Sequence, residues 1–277
     1  MDHSDIWNRW VRRQSMYGSG TEAAQRSHER STEFWYKLDR SNHQRLNIHE
    51  HNPPHPDSLQ DKSISIIRNE LSKLGAIKWE WKTQLDTQAL LTEIADDPMP
   101  WSFINNSSYS LATRNVWNSP DSSDGEYDKY YPSIRKWCLE QPEIIHPVII
   151  DISSLAPGGN IAPHSHSEAR IPPKLEGYPP YSDNPKVFKF IGKPGTGLDI
   201  MNMCVTWNEN CRFGLMGYGE LKYDQHDTYW LNTTAEHCVI NRGQSERIHL
   251  VMQFAYKRDT MRAKMLDVYK KLWSENG

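Results

Sequence analysis

The chain has no apolar run approaching the ~20 residues that a bilayer-spanning helix requires, so a membrane-embedded protein is not expected. Its first residues, MDHSDIWNRWVRRQS, are polar from the second position and lack the apolar core of a secretion signal. A cytoplasmic protein is the expectation. An excess of charge of either sign is missing too. The 32 Lys and Arg stand against 35 Asp and Glu, a formal net charge of −3, and neither nucleic acid nor an anionic membrane is expected as a partner. Cysteine is scarce: Cys138, Cys204, Cys211 and Cys238 contain no CxxC pair. This argues against a zinc knuckle or a thioredoxin-like redox site, and the four are expected to be small buried apolar residues. No internal repeat is present.

The 277 residues, 37% hydrophobic and 24% charged, suffice for one substantial core with an appendage. Residues 1–75 read as a polar, partly helical extension that either binds a partner or packs on the main body. Residues 76–277 read as the main domain, with its motif-bearing core at 147–257. A helix is expected over 21–38, carrying Phe34, Trp35 and Leu38 as an apolar stripe. Pro53, Pro54 and Pro56 end it. His49, His51 and His55 in that proline-rich stretch invite a metal reading, but a solvated linker is the simpler one, since nothing nearby would orient the rings. A second helix should run from Leu59 to a stop at Gly75, and WEWK suggests a strand before a helix capped by Asp86 or Thr87. Residues 105–131 are turn-rich and are expected to form a long surface excursion, followed by a short helix over 133–141.

The character then changes. HPVIIDISS, KVFKFIG, LDIMNMCVTW, CRFGLMGYG, DTYWLN, HCVIN and RIHLVMQFAY are short β-prone runs broken by Gly, Pro, Asn and Asp. This pattern predicts an antiparallel sandwich or barrel. A closing helix is expected through Met261, Met265, Val268, Tyr269 and Leu272.

The chemistry-bearing residues lie at the two ends of this β-rich stretch. The first group is LAPGGNIAPHSHSEAR, with His164, His166 and Glu168; the second is YWLNTTAEHCVINRGQSERIHLVMQF, with His237 and Arg247. A metal that activates O2 needs a few imidazole or carboxylate ligands on one face and open positions opposite. A closely spaced pair followed much later by a lone histidine is how a barrel supplies them. An arginine ten residues beyond that histidine, on the next strand, can reach the same cavity and hold a carboxylate with its planar fork. Each element alone is weak, and the weight lies in order, spacing and β context agreeing.

These blocks resemble the aspartyl/asparaginyl β-hydroxylase family and the related proline-hydroxylase-like oxygenases that use Fe(II) and 2-oxoglutarate. The PG-x-x-x-x-P-H segment reads Pro157-Gly158-Gly159-Asn160-Ile161-Ala162-Pro163-His164, with Ser153 eleven residues before the histidine. The second block gives Trp230, Asn232, His237, Asn241, Arg247, His249 and Leu250 in the family's order. The resemblance spans about 110 residues. It implies a mainly β, α+β fold: a double-stranded β-helix of the jelly-roll or cupin-like kind, with a helical region before it and a helix after it. It implies His164 and His237 as iron ligands, and Arg247 with Ser153 as the grip on 2-oxoglutarate. The third ligand stays open: His166, or Glu168 in a register that pairs it with His166 and His237, or no side chain at all. Asn202 stands where relatives usually carry a basic or imidazole side chain, and the stretch 167–197 is longer than their usual connection, as a lid or an inert loop. The implied activity is dioxygenase hydroxylation of an amino-acid, peptide or other small-molecule substrate. The alternatives are a non-catalytic or non-oxidative cupin-like metal protein.

Overall fold

β4 (Ile144–Leu155) and β12 (Arg247–Lys257) are the longest strands, and they pair antiparallel from Ile144↔Tyr256 to Leu155↔Arg247. The computed structural model describes residues 20–40, 48–98, 102–105, 110–118, 129–165, 187–189 and 200–275. Around this pair a major sheet has the order β1-β10-β7-β12-β4-β3-β2. Its other members are β1 (Ala76–Trp79), β2 (Ser102–Asn105), β3 (Ser110–Asn118), β7 (Ile200–Thr206) and β10 (Thr228–Leu231), and β6 (Val187–Lys189) pairs with the far end of β12. A minor sheet has the order β5-β11-β8-β9, from β5 (Asn160–His164), β8 (Cys211–Leu215), β9 (Gly219–Leu221) and β11 (His237–Asn241).

From β4 onward the chain passes between the sheets: β4 major, β5 minor, β7 major, β8 and β9 minor, β10 major, β11 minor, β12 major. Two antiparallel sheets wound in this way form a jelly roll, the double-stranded β-helix that the motif order implies.

Three apolar regions follow from strand alternation. Between the sheets lie Leu155, Cys204, Cys211, Phe213, Leu215 and Val239. On the outer face of the major sheet, Ile150, Ile152, Leu250, Met252 and Phe254 pack under four helices: α2 (Ile64–Ser72), α3 (Thr87–Asp96), α4 (Pro132–Glu140) and α5 (Arg258–Glu275). Trp79, Trp81, Trp137 and Trp230 meet there in edge-on contacts, and all four cysteines are buried. The outer face of the minor sheet is covered by α1 (Gly20–Arg40), through Phe34, Trp35 and Leu38 against Cys238 and Ile240. That approach needs Gly214 on β8, where a Cβ would lie 2.7 Å from both Leu38 and Phe34.

The first 75 residues, as far as they are described, therefore pack on the barrel. α2 ends at Ser72, and Gly75, with a φ of +71°, then turns the chain into β1; Asp86 caps α3 by accepting from the Ala89 amide. Two differences from expectation stand out. Residues 110–118 are a strand paired with β4 rather than part of a surface excursion, because an unpaired β4 edge outweighs a turn-prone composition. The proline-rich stretch forms two 3-10 turns, Ile48–His51 and Pro56–Leu59. His49 bonds the Trp273 carbonyl through Nε2, and His55 Nδ1 accepts from the Asp57 amide. These rings pack against α5 in place of a solvated linker. No described helix is long and apolar enough to cross a membrane.

Candidate active site

His164 ends β5 and His237 begins β11, and these positions face each other across the ladder. Their ring centroids are 4.2 Å apart. In each ring Nδ1 lies 2.9 Å from a carbonyl two residues back, that of Ala162 or Ala235. A carbonyl can only accept, so each Nδ1 carries the proton and each Nε2 the lone pair of the neutral ring. Burial, with a lesser push from the Arg30 guanidinium, lowers the pKa of His164, which favours the neutral form a metal requires. Phe213 stacks parallel to His237 at 6.1 Å.

Arg247 begins β12 and is 1% exposed. Its Nη2 lies 2.9 Å from Nδ1 of His249, which is also fully buried. A guanidinium can only donate and the Asn202 Oδ1 can only accept, so Nδ1 of His249 takes the Arg247 bond in one tautomer and donates to Asn202 in the other. The side-chain amide of Asn202 closes on the same nitrogen at 2.5 Å. Asn202 of β7 thus contacts an imidazole that stands on the neighbouring strand β12. Burial foremost, and the adjacent cation, push the His249 pKa well below its usual value. Tyr223 packs edge-on to His249 at 4.8 Å and touches Phe213 at 5.9 Å. Trp207 lies over Arg247 at 5.9 Å. The aromatic rings of Phe213 and Tyr223 thereby connect the histidine pair to the guanidinium.

No Asp or Glu among the described residues pairs with Arg247. Besides His249, the titratable groups that act on it are Cys211, Tyr223 and Cys204. Burial raises Cys204 to about 12 and Cys211 to about 11 and lifts Tyr223 well above its usual range, so all three stay neutral. Arg247 Nε, His249 Nε2 and the Tyr223 hydroxyl have no hydrogen-bond partner among the described residues. Three unpartnered polar atoms and one buried cation thus lie in a single patch. Ser153 is buried on β4 directly opposite His249 in register, which puts it on the same face of the sheet.

Of the residues singled out by sequence, the fold brings His164 to His237, and Ser153 to the Arg247 strand. His166 and Glu168 lie outside the described residues, as does 167–197 apart from β6. Among the described residues no third His, Cys, Asp or Glu joins the histidine pair. Tyr223 and Trp207 were missed, since a single aromatic carries no spacing signal, and His249 had been only a motif position without a role. Two neutral imidazoles presenting Nε2 from adjacent strands are a donor set suited to a divalent transition metal. The unmet donors around Arg247 suit a carboxylate.

No protein-family model matches the chain, and no curated protein matches it. Among solved structures it resembles a prolyl-4-hydroxylase from Pseudomonas putida at 12% identity and a TM-score of 0.39, over 70% of this chain and 98% of the other. It also resembles an oxidoreductase of the 2OG-Fe(II) oxygenase family from Burkholderia pseudomallei, at 11% identity and a TM-score of 0.39, over 72% and 93%. A third is a prolyl hydroxylase from Trichoplax adhaerens solved with a hypoxia-inducible-factor peptide, at 13% identity and a TM-score of 0.38, over 72% and 91%. These are prolyl-hydroxylase-like oxygenases, and the likeness is a distant one of fold.

Proposed function

We propose that the chain is an Fe(II)- and 2-oxoglutarate-dependent dioxygenase that hydroxylates an amino-acid, peptide or other small-molecule substrate. The observation that carries this reading is the buried Arg247, which has no anionic partner among the described residues and lies beside the unpartnered Nε2 of His249 and hydroxyl of Tyr223. A cation left so in a protein interior is costly, and a dicarboxylic cosubstrate relieves that cost when its far carboxylate lies there. His164 and His237 would hold the iron, with His166 or Glu168 as candidates for a third ligand. Bound there, iron(II) and 2-oxoglutarate supply O2 activation coupled to decarboxylation, which oxidises a substrate C–H bond.

The chain's own part is to bind, orient and keep dry. Arg247 fixes one end of the diacid, and the Tyr223 hydroxyl adds a neutral donor that does not raise the buried charge. Ser153 completes the cradle from β4. Phe213, between the histidine pair and Tyr223, excludes water from the path between the two ends. The Nδ1 bonds to Ala162 and Ala235 hold both ligand rings in one tautomer before any metal arrives. A non-oxidative cupin-like metal protein has no use for a buried diacid anchor.

The test is anaerobic calorimetry with Fe(II) or Co(II) followed by 2-oxoglutarate, then succinate release in air. Binding of 2-oxoglutarate that depends on prior metal is the expected result, with succinate formed even without added substrate at a slow uncoupled rate. Metal uptake with no affinity for 2-oxoglutarate would favour the non-oxidative metal protein instead.

A further inference from the structure

In β5 the pairing with β11 sets Asn160 opposite Ile240 and Ile161 opposite Val239, yet His164 opposite His237. Two steps along β11 are thus met by three along β5, so Ala162 and Pro163 form a bulge. Its effect is on direction. Asn160 faces outward, where its amide donates to Ser31 of α1, and Ile161 packs between the sheets. Strict alternation from Ile161 would turn His164 outward as well. The additional residue reverses the phase and brings the ring in to His237.

Proline suits this place because it has no N–H to give to a ladder, but its carbonyl still needs a donor. Arg30 of α1 supplies one, its Nη2 donating to the Pro163 carbonyl at 2.6 Å across 133 residues of sequence. The same helix reaches β11 beside His237, where Phe34, Trp35 and Leu38 pack against Cys238 and Ile240. The strands of both histidines are therefore held from outside by one helix.

The geometry points to Arg30 as a positioning residue of the metal site: its bond to the Pro163 carbonyl fixes the β5 bulge that aims His164 at His237. The inference rests on the metal reading above and gives residues 20–40 a part in the site's construction, although none of them lines it.

The experiment compares full-length wild type, Arg30→Ala, Arg30→Lys and Phe34→Ala. Co(II) affinity is followed by calorimetry, the His164 tautomer by ring nitrogen NMR shifts in the metal-free chain, and folding by thermal melting. Arg30→Ala should weaken Co(II) binding about tenfold or more and release His164 from its single tautomer. Its melting temperature should fall less than that of Phe34→Ala, which loosens the helix without touching the bulge. Arg30→Lys, which keeps a donor, should recover part of the affinity. An Arg30→Ala chain with wild-type Co(II) affinity and an unchanged His164 tautomer would overturn the inference. So would Phe34→Ala reproducing both losses with Arg30 in place, because helix docking alone would then explain them. If wild type itself takes up no Co(II), the metal reading fails, while the tautomer comparison still decides whether Arg30 aims His164.

Discussion

Where β12 leaves the β11 turn, its two faces are both buried and chemically opposite. Ile248, Leu250, Met252 and Phe254 point into the helix-covered core, each 2% exposed or less, while Arg247 and His249 point between the sheets at 1% and 0%. On the first face burial is favourable throughout, through area removed from water and dense contact. On the second, burial strips water from a cation and an imidazole and leaves donors unmet, which opposes folding. One strand therefore joins residues that stabilise the barrel to residues the barrel must carry at a cost, and the second kind is where the proposed cosubstrate's carboxylate would lie.

Two substitutions, one on each face, test that division most strongly. Leu250→Ala should lower stability by about 2–5 kcal/mol, the range for a large buried side chain cut to methyl, while the remaining folded chain binds 2-oxoglutarate as before. Arg247→Met should do the reverse. Losing a charge-assisted carboxylate contact costs about 2–5 kcal/mol of cosubstrate affinity, whereas replacing an unpaired buried charge by an apolar side chain leaves stability level or raises it by about 1–4 kcal/mol. Thermal melting and calorimetry on the two variants suffice. If Arg247→Met melts well below wild type and binds 2-oxoglutarate normally, Arg247 is a structural residue and the division fails.

Asn241 tests the border between the faces. Fully buried at the end of β11, it donates to the Leu155 and Ser245 carbonyls and accepts from the Gly243 amide. It ties the β11–β12 turn to β4, and so sets where Arg247 enters the barrel. Asn241→Ala leaves several buried backbone groups unmet, at about 1–3 kcal/mol each, and should destabilise the chain while weakening 2-oxoglutarate binding in what remains folded. A loss of stability with no change in affinity would detach the turn from the site.

The strand order and the spacing of His164, His237 and Arg247 were legible because a barrel fixes which side chains face inward, and the period of two makes that visible in a linear pattern. The same rule fails at His164, where a bulge resets the period, and nothing in N-I-A-P-H announces it except the proline. β3 was hidden by its polar, turn-prone residues, since pairing with the long β4 decides its conformation from outside. Tyr223 lies in the connection after β9 and enters the site only through the winding of the sheets. Arg30 acts on a carbonyl 133 residues away, a relation no local pattern encodes. Motifs thus singled out the groups proposed to meet ligands, and the structure was needed to find those proposed to aim them.

The inward face should also respond to pH. His249 has a folded-state pKa well below its ordinary value, so the unfolded chain binds its proton first as pH falls. Its contribution to stability is complete above the unfolded value of about 6.5 and declines below it, by up to about 1.4 kcal/mol per pH unit. Denaturant titrations at pH 8, 6.5 and 5.5 should show the decline in wild type and a shallower one in His249→Gln. Equal slopes in the two chains would mean that His249 takes its proton without disturbing the fold.

The smallest expected effect separates a donor that serves a ligand from one that serves the barrel. The Tyr223 hydroxyl is buried with no hydrogen-bond partner among the described residues, while its ring packs on Phe213, Tyr229 and His249. Tyr223→Phe keeps the ring and removes only the hydroxyl. If the hydroxyl waits for a carboxylate, the variant should fold at least as stably as wild type, since an unmet polar group has been taken out. Its affinity for 2-oxoglutarate should fall by about 0.5–1.5 kcal/mol, the usual worth of one hydrogen bond. A loss of stability with unchanged affinity would place the hydroxyl among the groups that hold the barrel and narrow the anion site to Arg247, His249 and Ser153. The two outcomes move melting temperature and affinity in opposite senses, so this single-atom change still resolves the inward face when its energetic effect is small.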